Sequence, residues 1–215
     1  MNAVQNQAGA TAPKKFQFVG GELCLDFCNS VGGKRGVRPR EYLNSYDDFV
    51  SWSEQAELLD AGRAQELLRK AAHRPSAGAA ALNRGRLLRE AIYRIFLSLA
   101  ENKKPAEEDI RELNVELSRS LNRWRISRLK NGFAWEWNPG PMELDHPLGP
   151  IARSAADLLT SGRALENIRQ CQGDNCGWLF LDSSKNHSRC WCDMRDCGNR
   201  AKVRRHRLRK EHSDG

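Results

Sequence analysis

Several features that mark other protein classes are missing from this sequence, and each absence narrows what the protein can be. No apolar run approaches the roughly 20 residues that a membrane-spanning helix needs, so we expect no membrane contact. The opening stretch MNAVQNQAGATAPKK has no apolar leader segment, which favours a cytoplasmic protein. We predict that residues 1–14 form a disordered tail.

Sequence patterns typical of enzymes are also missing. The chain contains no P-loop, no dinucleotide-binding fingerprint and no motif that pairs a nucleophile with a base. We also find no internal repeat. We therefore predict that the protein is not an enzyme.

Positive charge is present in excess, and it is confined to one part of the chain. The 215 residues carry a formal net charge of +8. The segment 185–210 holds ten Lys/Arg and only two Asp/Glu, so the rest of the chain is neutral. Because a solvated surface normally mixes both signs, this segment predicts contact with a nucleic acid.

Five of the seven cysteines fall within residues 171–197, just before this basic stretch. Two pairs share one spacing, Cys171-x4-Cys176 and Cys192-x4-Cys197, with fifteen residues between them. A reducing compartment disfavours disulfides, and the tight Cys-x-x-Cys of redox dithiols is missing. Two short loops that each supply two thiolates can surround Zn²⁺ tetrahedrally, and such a closed site stabilises rather than catalyses.

Other residues of this segment are assigned roles outside the four-ligand set. Cys190 is assigned as a spare thiol, since using it in place of Cys192 would lengthen the second loop to x6. His187 is a conceivable ligand, but a role at the surface or beside a phosphate is favoured. We expect Gly177 and Gly198 to turn backbone N–H groups toward the sulfurs. Residues 178–180, Trp-Leu-Phe, are expected to pack over the metal rather than stack on bases.

The sequence after Gly198 predicts a helix with a wide positive face. It contains no further glycine before residue 211 and no proline, and Val203 and Leu208 are its large apolar residues. A charged helix held by a metal site suits a groove of duplex DNA. The predicted DNA-binding residues, which include three from the loop between the cysteine pairs, are Lys185, Asn186, Arg189, Arg200, Lys202, Arg204, Arg205, Arg207, Arg209 and Lys210.

Residues 15–165 show mainly helical patterns. The alternation of apolar residues over 16–33 predicts a strand or a strand–turn–strand, and Ser45 with Asp48 predicts a capping box. Asn131-Gly132 lies between two alternating runs and predicts a β-hairpin. The segments 73–79 and 138–150 are predicted as a breaker and a turn-rich connector. Helices are predicted around 60–72, 87–99, 110–121 and 151–162.

These patterns predict an α+β fold that is predominantly α. We expect a helical N-terminal domain with a small β element at 15–165, and a four-cysteine module with its basic helix at 166–215. Asp26 and Asn29 lie beside a Gly/Arg loop containing Arg35 and Arg38, where a small anionic effector would find guanidinium and amide donors. The favoured alternative is that Asp26 and Asn29 cap a helix or hold a turn.

Two stretches resemble known families. CGWLFLDSSKNHSRCWCDMRDCGNRAKVRRHR resembles the CGNR zinc finger, named for residues 197–200, and GGELCLDFCNSV resembles the start of the ABATE domain that usually precedes it. The resemblance covers nearly the whole chain after the tail and implies a bacterial, stress-related transcription regulator that binds DNA through the finger. It also implies that Cys171, Cys176, Cys192 and Cys197 are the zinc ligands. Cys190 departs from the family pattern, where we expect arginine.

We therefore predict a DNA-binding transcription regulator. One structural zinc per chain would position the basic helix on duplex DNA, while the N-terminal domain senses a small-molecule effector or forms a homodimer. The protein would be cytoplasmic and associated with the nucleoid when bound to DNA. The alternatives are an RNA-binding, translation-associated zinc protein and, less favoured, a small-molecule enzyme with a structural zinc.

Overall fold

A computed structural model describes residues 14–137, 143–162 and 165–211, without the side chain of residue 211. Most of the predicted disordered tail and residues 138–142 of the predicted connector lie outside these ranges. The fold is α+β and predominantly α, as predicted. Its helices are α1 Leu23–Cys28, α2 Tyr46–Gln55, α3 Ala61–His73, α4 Pro75–Ala100, α5 Glu107–Ser120, α6 Leu148–Thr160 and α7 Asn199–Glu211. Its antiparallel strand pairs are β1 Val31–Gly32 with β2 Arg40–Glu41, β3 Trp124–Leu129 with β4 Gly132–Trp137, and β5 Ile168–Gln170 with β6 Leu179–Leu181.

Helix α4 is the centre of the N-terminal part, and α1, α2, α3 and α5 all contact it. The large apolar residues of its buried face are two leucines, two isoleucines, one tyrosine and one phenylalanine. The prediction of a breaker over 73–79 is wrong beyond Arg74, because α4 already begins at Pro75. A proline at the first helical position needs no N–H partner there. Gly78 lies against Ala71 of α3, where an added Cβ would be 3.2 Å from the alanine Cβ, so the two helices approach closely.

The predicted strand over 16–33 is also wrong, since residues 23–28 form α1 and only residues 31–32 pair as a strand. Every residue from 24 to 30 is buried, so the helix has no solvent-facing side to give the sequence a helical period. Asp26 holds the incoming chain, because its Oδ1 accepts the Gly20 N–H at 2.7 Å. The Gly20-Gly21 pair therefore forms the turn that leads into α1.

Several local predictions are confirmed. Ser45 and Asp48 form the capping box at the start of α2. The predicted hairpin exists and pairs Trp124 with Trp137, but its two connecting residues are Lys130 and Asn131, because Gly132 is already the first residue of β4. Helix α6 begins at residue 148, earlier than predicted, and Gly162 follows its end with a φ of +63°.

The β5–β6 hairpin lies beyond the predicted domain boundary at 165/166, yet it packs into the N-terminal core through Ile168 and Leu179. Asn29 fixes this contact. Its Nδ2 donates to the Leu179 carbonyl and its Oδ1 accepts the Leu179 N–H, both at 2.9 Å. The Trp178 indole N–H donates to the Val31 carbonyl at 2.8 Å, and this bond connects the segment before β6 to β1.

Replacing Asn29 with alanine should lower the free energy of unfolding by about 2–5 kcal/mol, because two buried backbone groups lose their partner at about 1–3 kcal/mol each. Urea unfolding of the zinc-loaded protein measures this effect. Asn175→Ala, at an exposed position of the cysteine loop, is the matched control and should leave the free energy of unfolding almost unchanged. Equal losses in the two variants would show that Asn29 does not fix the hairpin.

Candidate metal centre and nucleic-acid interface

Four cysteine sulfurs form one cluster. Two come from the loop after β5 and two from the segment that leads into α7. The Sγ atoms of Cys171, Cys176, Cys192 and Cys197 all lie within 4.8 Å of one another. Cys192 Sγ is 3.8 Å from Cys176 Sγ and 3.7 Å from Cys197 Sγ. Thiolates held about 2.3 Å from one Zn²⁺ in a tetrahedron are about 3.8 Å apart. The donor set and its spacing therefore fit a zinc ion.

The two cysteine loops are joined through their main chains. The Gln172 N–H donates to the Cys190 carbonyl at 2.9 Å, so Cys190 helps to align the loops while its thiol stays outside the cluster. His187 is also outside it, and its Nδ1 lies 3.0 Å from the Asp182 carbonyl oxygen.

Backbone and guanidinium donors surround the sulfurs. The N–H groups of Gly173 and Cys192 donate to Cys171 Sγ at 3.4 and 3.3 Å, and Arg200 Nη2 donates to Cys197 Sγ at 3.2 Å. Such donors stabilise thiolates bound to a metal.

The prediction that Gly198 supplies such a donor is wrong, since its N–H donates to the Asp193 carbonyl. Gly177 instead allows a close approach to the N-terminal domain, because a Cβ there would lie 2.9 Å from the Gly33 carbonyl oxygen.

The sulfurs influence each other's ionisation. Hydrogen bonds from Cys176 and Cys192 lower the pKa of Cys171. Hydrogen bonds to Cys171 and Cys176 raise the pKa of Cys192, because one thiolate keeps its neighbours protonated. Four thiolates this close together require a cation to offset their repulsion.

The aromatic residues between the cysteine pairs are core residues, as expected. Trp178 and Phe180 pack on the sulfurs, whereas Leu179 belongs to the N-terminal core. The Arg189 guanidinium lies over the Phe180 ring, 4.4 Å from its centroid, and donates to the carbonyls of Trp191 and Cys192. Arg189 therefore faces inward, unlike the exposed Lys185 and Asn186 on the same loop.

Helix α7 follows directly from the turn that carries Cys197. Residues 202–210 are all exposed, and even Val203 and Leu208 keep 52% and 45% of their surface in solvent. Two ion pairs hold its first turns, Arg200 with Asp196 and Arg204 with Asp174. The predicted basic helix thus exists, and it projects its arginines and lysines away from the core.

The candidate effector residues separate into two groups. Arg35 is occupied by the fold, because it donates to Glu90 Oε2 at 2.7 Å and stacks on the Tyr93 ring at 3.5 Å. Asp26, Asn29 and Arg38 line one pocket of 560 Å³, but Arg35 does not. The contacts of Asp26 and Asn29 agree with their alternative role of holding turns.

Asp26 should make stability depend on pH. Burial, the largest cause, raises the pKa of Asp26 to about 6. Because the carboxyl ionises at lower pH in the unfolded chain, its stabilising contribution is complete below pH 4 and is lost as the pH rises through 6. Asp26→Asn keeps an acceptor for the Gly20 N–H. Between pH 4 and 7, the free energy of unfolding of the wild type should fall by about 2–3 kcal/mol relative to that of this variant. Parallel unfolding curves across this range would contradict the assignment.

Comparison with known protein families divides the chain into two parts. Residues 21–162 match the ABATE family, described as "Putative stress-induced transcription regulator", and residues 167–210 match the CGNR zinc finger. No curated protein matches the chain. The finger match and the four clustered sulfurs fit a single structural zinc site. Within the described ranges, no helix has the length and apolar character needed to cross a bilayer.

Proposed function

Because the chain belongs to the ABATE family and carries a CGNR zinc finger, we propose that it is a DNA-binding transcription regulator. The observation that carries this proposal is the position of α7. An exposed helix rich in arginine begins two residues after Cys197 and is held at that end by the turn that carries this cysteine.

The zinc would act as a structural anchor. Its proposed ligands are Cys171, Cys176, Cys192 and Cys197, and a closed four-thiolate site leaves no position for a substrate. The metal would fix the turn 194–198 and so set the direction of α7. The protein would then work in the cytoplasm as a regulator rather than an enzyme.

Helix α7 would lie in the major groove, which is wide enough for a helix, and its cations would neutralise phosphates. Two neighbouring stripes run along it: residues 200, 204 and 207, and residues 202, 205 and 209. Arg200 and Arg204 of the first stripe form ion pairs with acidic residues of the finger, so Lys202 and Arg205 of the second stripe are the stronger candidates for DNA. Arg207, Lys210, Lys185 and Asn186 would add contacts, while Arg189 would brace the loop.

Mapping the bound sites across the genome by crosslinking tests this proposal. We expect discrete sites that share a sequence motif and lie near promoters. The same map for a variant with residues 202, 205 and 209 replaced by alanine is the matched control and should lose these sites. Crosslinks to ribosomal or other structured RNA in place of DNA would favour an RNA-binding, translation-associated protein.

A further inference from the structure

The pocket of 560 Å³ lies where the two halves of the protein meet. One wall comes from the segment before α1, with Lys15 and Phe16. A second comes from Arg38 in the loop between β1 and β2 and from Arg40, the first residue of β2. The finger closes it with zinc-loop residues and Arg200 of α7. Its volume is within the range of about 300–1,000 Å³ for small-molecule sites.

The charge of the lining is positive. Lys14 pairs with Asp48 and Arg200 with Asp196, whereas Lys15, Arg38 and Arg40 are exposed and form no ion pair with the described residues. The negative groups of the lining are Asp26, which accepts the Gly20 N–H, Asp196, and the thiolates of Cys176, Cys192 and Cys197, whose charge a bound zinc would partly neutralise. Three cations at one opening that form no ion pair within the described ranges attract an anion, and arginine binds carboxylates through paired hydrogen bonds.

The lining also contains aromatic surface. Tyr42, Phe16 and Trp178 contribute to it, with Tyr42 the most exposed of the three, and the Arg40 guanidinium lies 5.5 Å from the centre of the Tyr42 ring. A flat ring packs well against such side chains, while the cations at the opening would hold its charged group. Inorganic anions would leave the aromatic part of the lining unused.

We propose that this pocket binds a small organic anion that carries an aromatic ring and that this ligand regulates α7. The regulatory part rests on the proposed function of α7, but the binding does not. Arg200 links the two sites, because it lines the pocket and also contacts Asp196 and Cys197 Sγ at 3.2 Å. An anion that draws Arg200 toward the pocket weakens these contacts at the start of α7.

Fluorescence titration of the zinc-loaded full chain with 8-anilinonaphthalene-1-sulfonate, an aromatic sulfonate that brightens in apolar surroundings, tests the binding. Salicylate should displace this probe, and salicylamide, its neutral analogue, should not. The double variant Lys15→Glu, Arg38→Glu should bind the probe about tenfold more weakly, since both positions are exposed and tolerate the change.

Two controls separate the pocket from other surfaces. Arg128→Glu, Lys130→Glu makes the same charge change on the β3–β4 hairpin, which does not line the pocket, and should leave the titration unchanged. Phe133→Ser removes an aromatic side chain that is 74% exposed there and should also have no effect. Equal displacement by salicylamide, or full affinity in the pocket variant, would overturn the proposal.

The regulatory part has a separate readout. Saturating salicylate should change the affinity for duplex DNA by about threefold or more in the wild type, and not in the pocket variant. Displacement of the probe with unchanged DNA affinity would overturn the regulation and leave the binding supported. Failure of the wild type to bind duplex DNA even without salicylate would instead refute the proposed function of α7.

Discussion

Cys197→Ser should release the zinc and unfold the C-terminal segment. The free energy of zinc binding by small fingers, about 10–16 kcal/mol, is as large as the stability of a whole domain. Hairpin β5–β6 should survive this loss, because Asn29 and the N-terminal core hold it independently of the metal. Helix α7 should not, since an isolated helix of 13 residues is marginal in water.

Elemental analysis and hydrogen exchange measure this prediction together. The wild type should contain about one zinc per chain and Cys197→Ser less than about a tenth of that. Amides of residues 199–210 should exchange faster in the variant, while those of α4 keep their protection. Cys190→Ser is the matched control and should retain its zinc, because its thiol lies outside the sulfur cluster. A zinc-loaded Cys197→Ser protein would contradict the ligand assignment.

Removing the second stripe of α7 should nearly abolish DNA binding. The triple variant Lys202→Ala, Arg205→Ala, Arg209→Ala loses three cations from an exposed face, and alanine preserves the helix. We expect a loss of about 100-fold in affinity near 0.15 M salt. The slope of log K against log salt should become smaller by about 3, since each neutralised phosphate contributes roughly 0.9.

The control for this variant separates a local contact from a change in net charge. Arg69, Arg111 and Arg128 are exposed on the N-terminal domain, and replacing all three with alanine removes the same charge. Fluorescence anisotropy with a labelled duplex compares the two proteins. Equal losses would mean that long-range attraction, rather than α7, provides the binding.

The metal centre could be predicted from the sequence because its signal is local. Two loops of equal spacing, each with two cysteines, define a tetrahedral site without reference to the rest of the fold. The capping box at Ser45 and the β3–β4 hairpin, whose turn lies one residue before the predicted Asn131-Gly132, are local in the same sense. Helix α1 was missed because a fully buried segment shows no period that distinguishes a helix from a strand.

Contacts between distant residues could not be predicted in this way. Asn29 and Leu179 are 150 positions apart, and no pattern in either segment indicates that they pair. The pocket is formed by residues 15, 38 and 200 together, which only the fold brings to one place. Arg189 lies in a basic stretch, yet its guanidinium donates to carbonyls of its own loop. Amino-acid composition does not reveal whether an arginine side chain points inward or into solvent.

Competition between nucleic acids tests the central proposal most directly. Zinc-loaded protein bound to a labelled DNA duplex is titrated with unlabelled duplex and, separately, with a folded RNA of equal length. If α7 reads the DNA major groove, the duplex should compete at least about tenfold better, because side chains cannot enter the deep, narrow major groove of A-form RNA. Equal or stronger competition by the RNA would contradict the account.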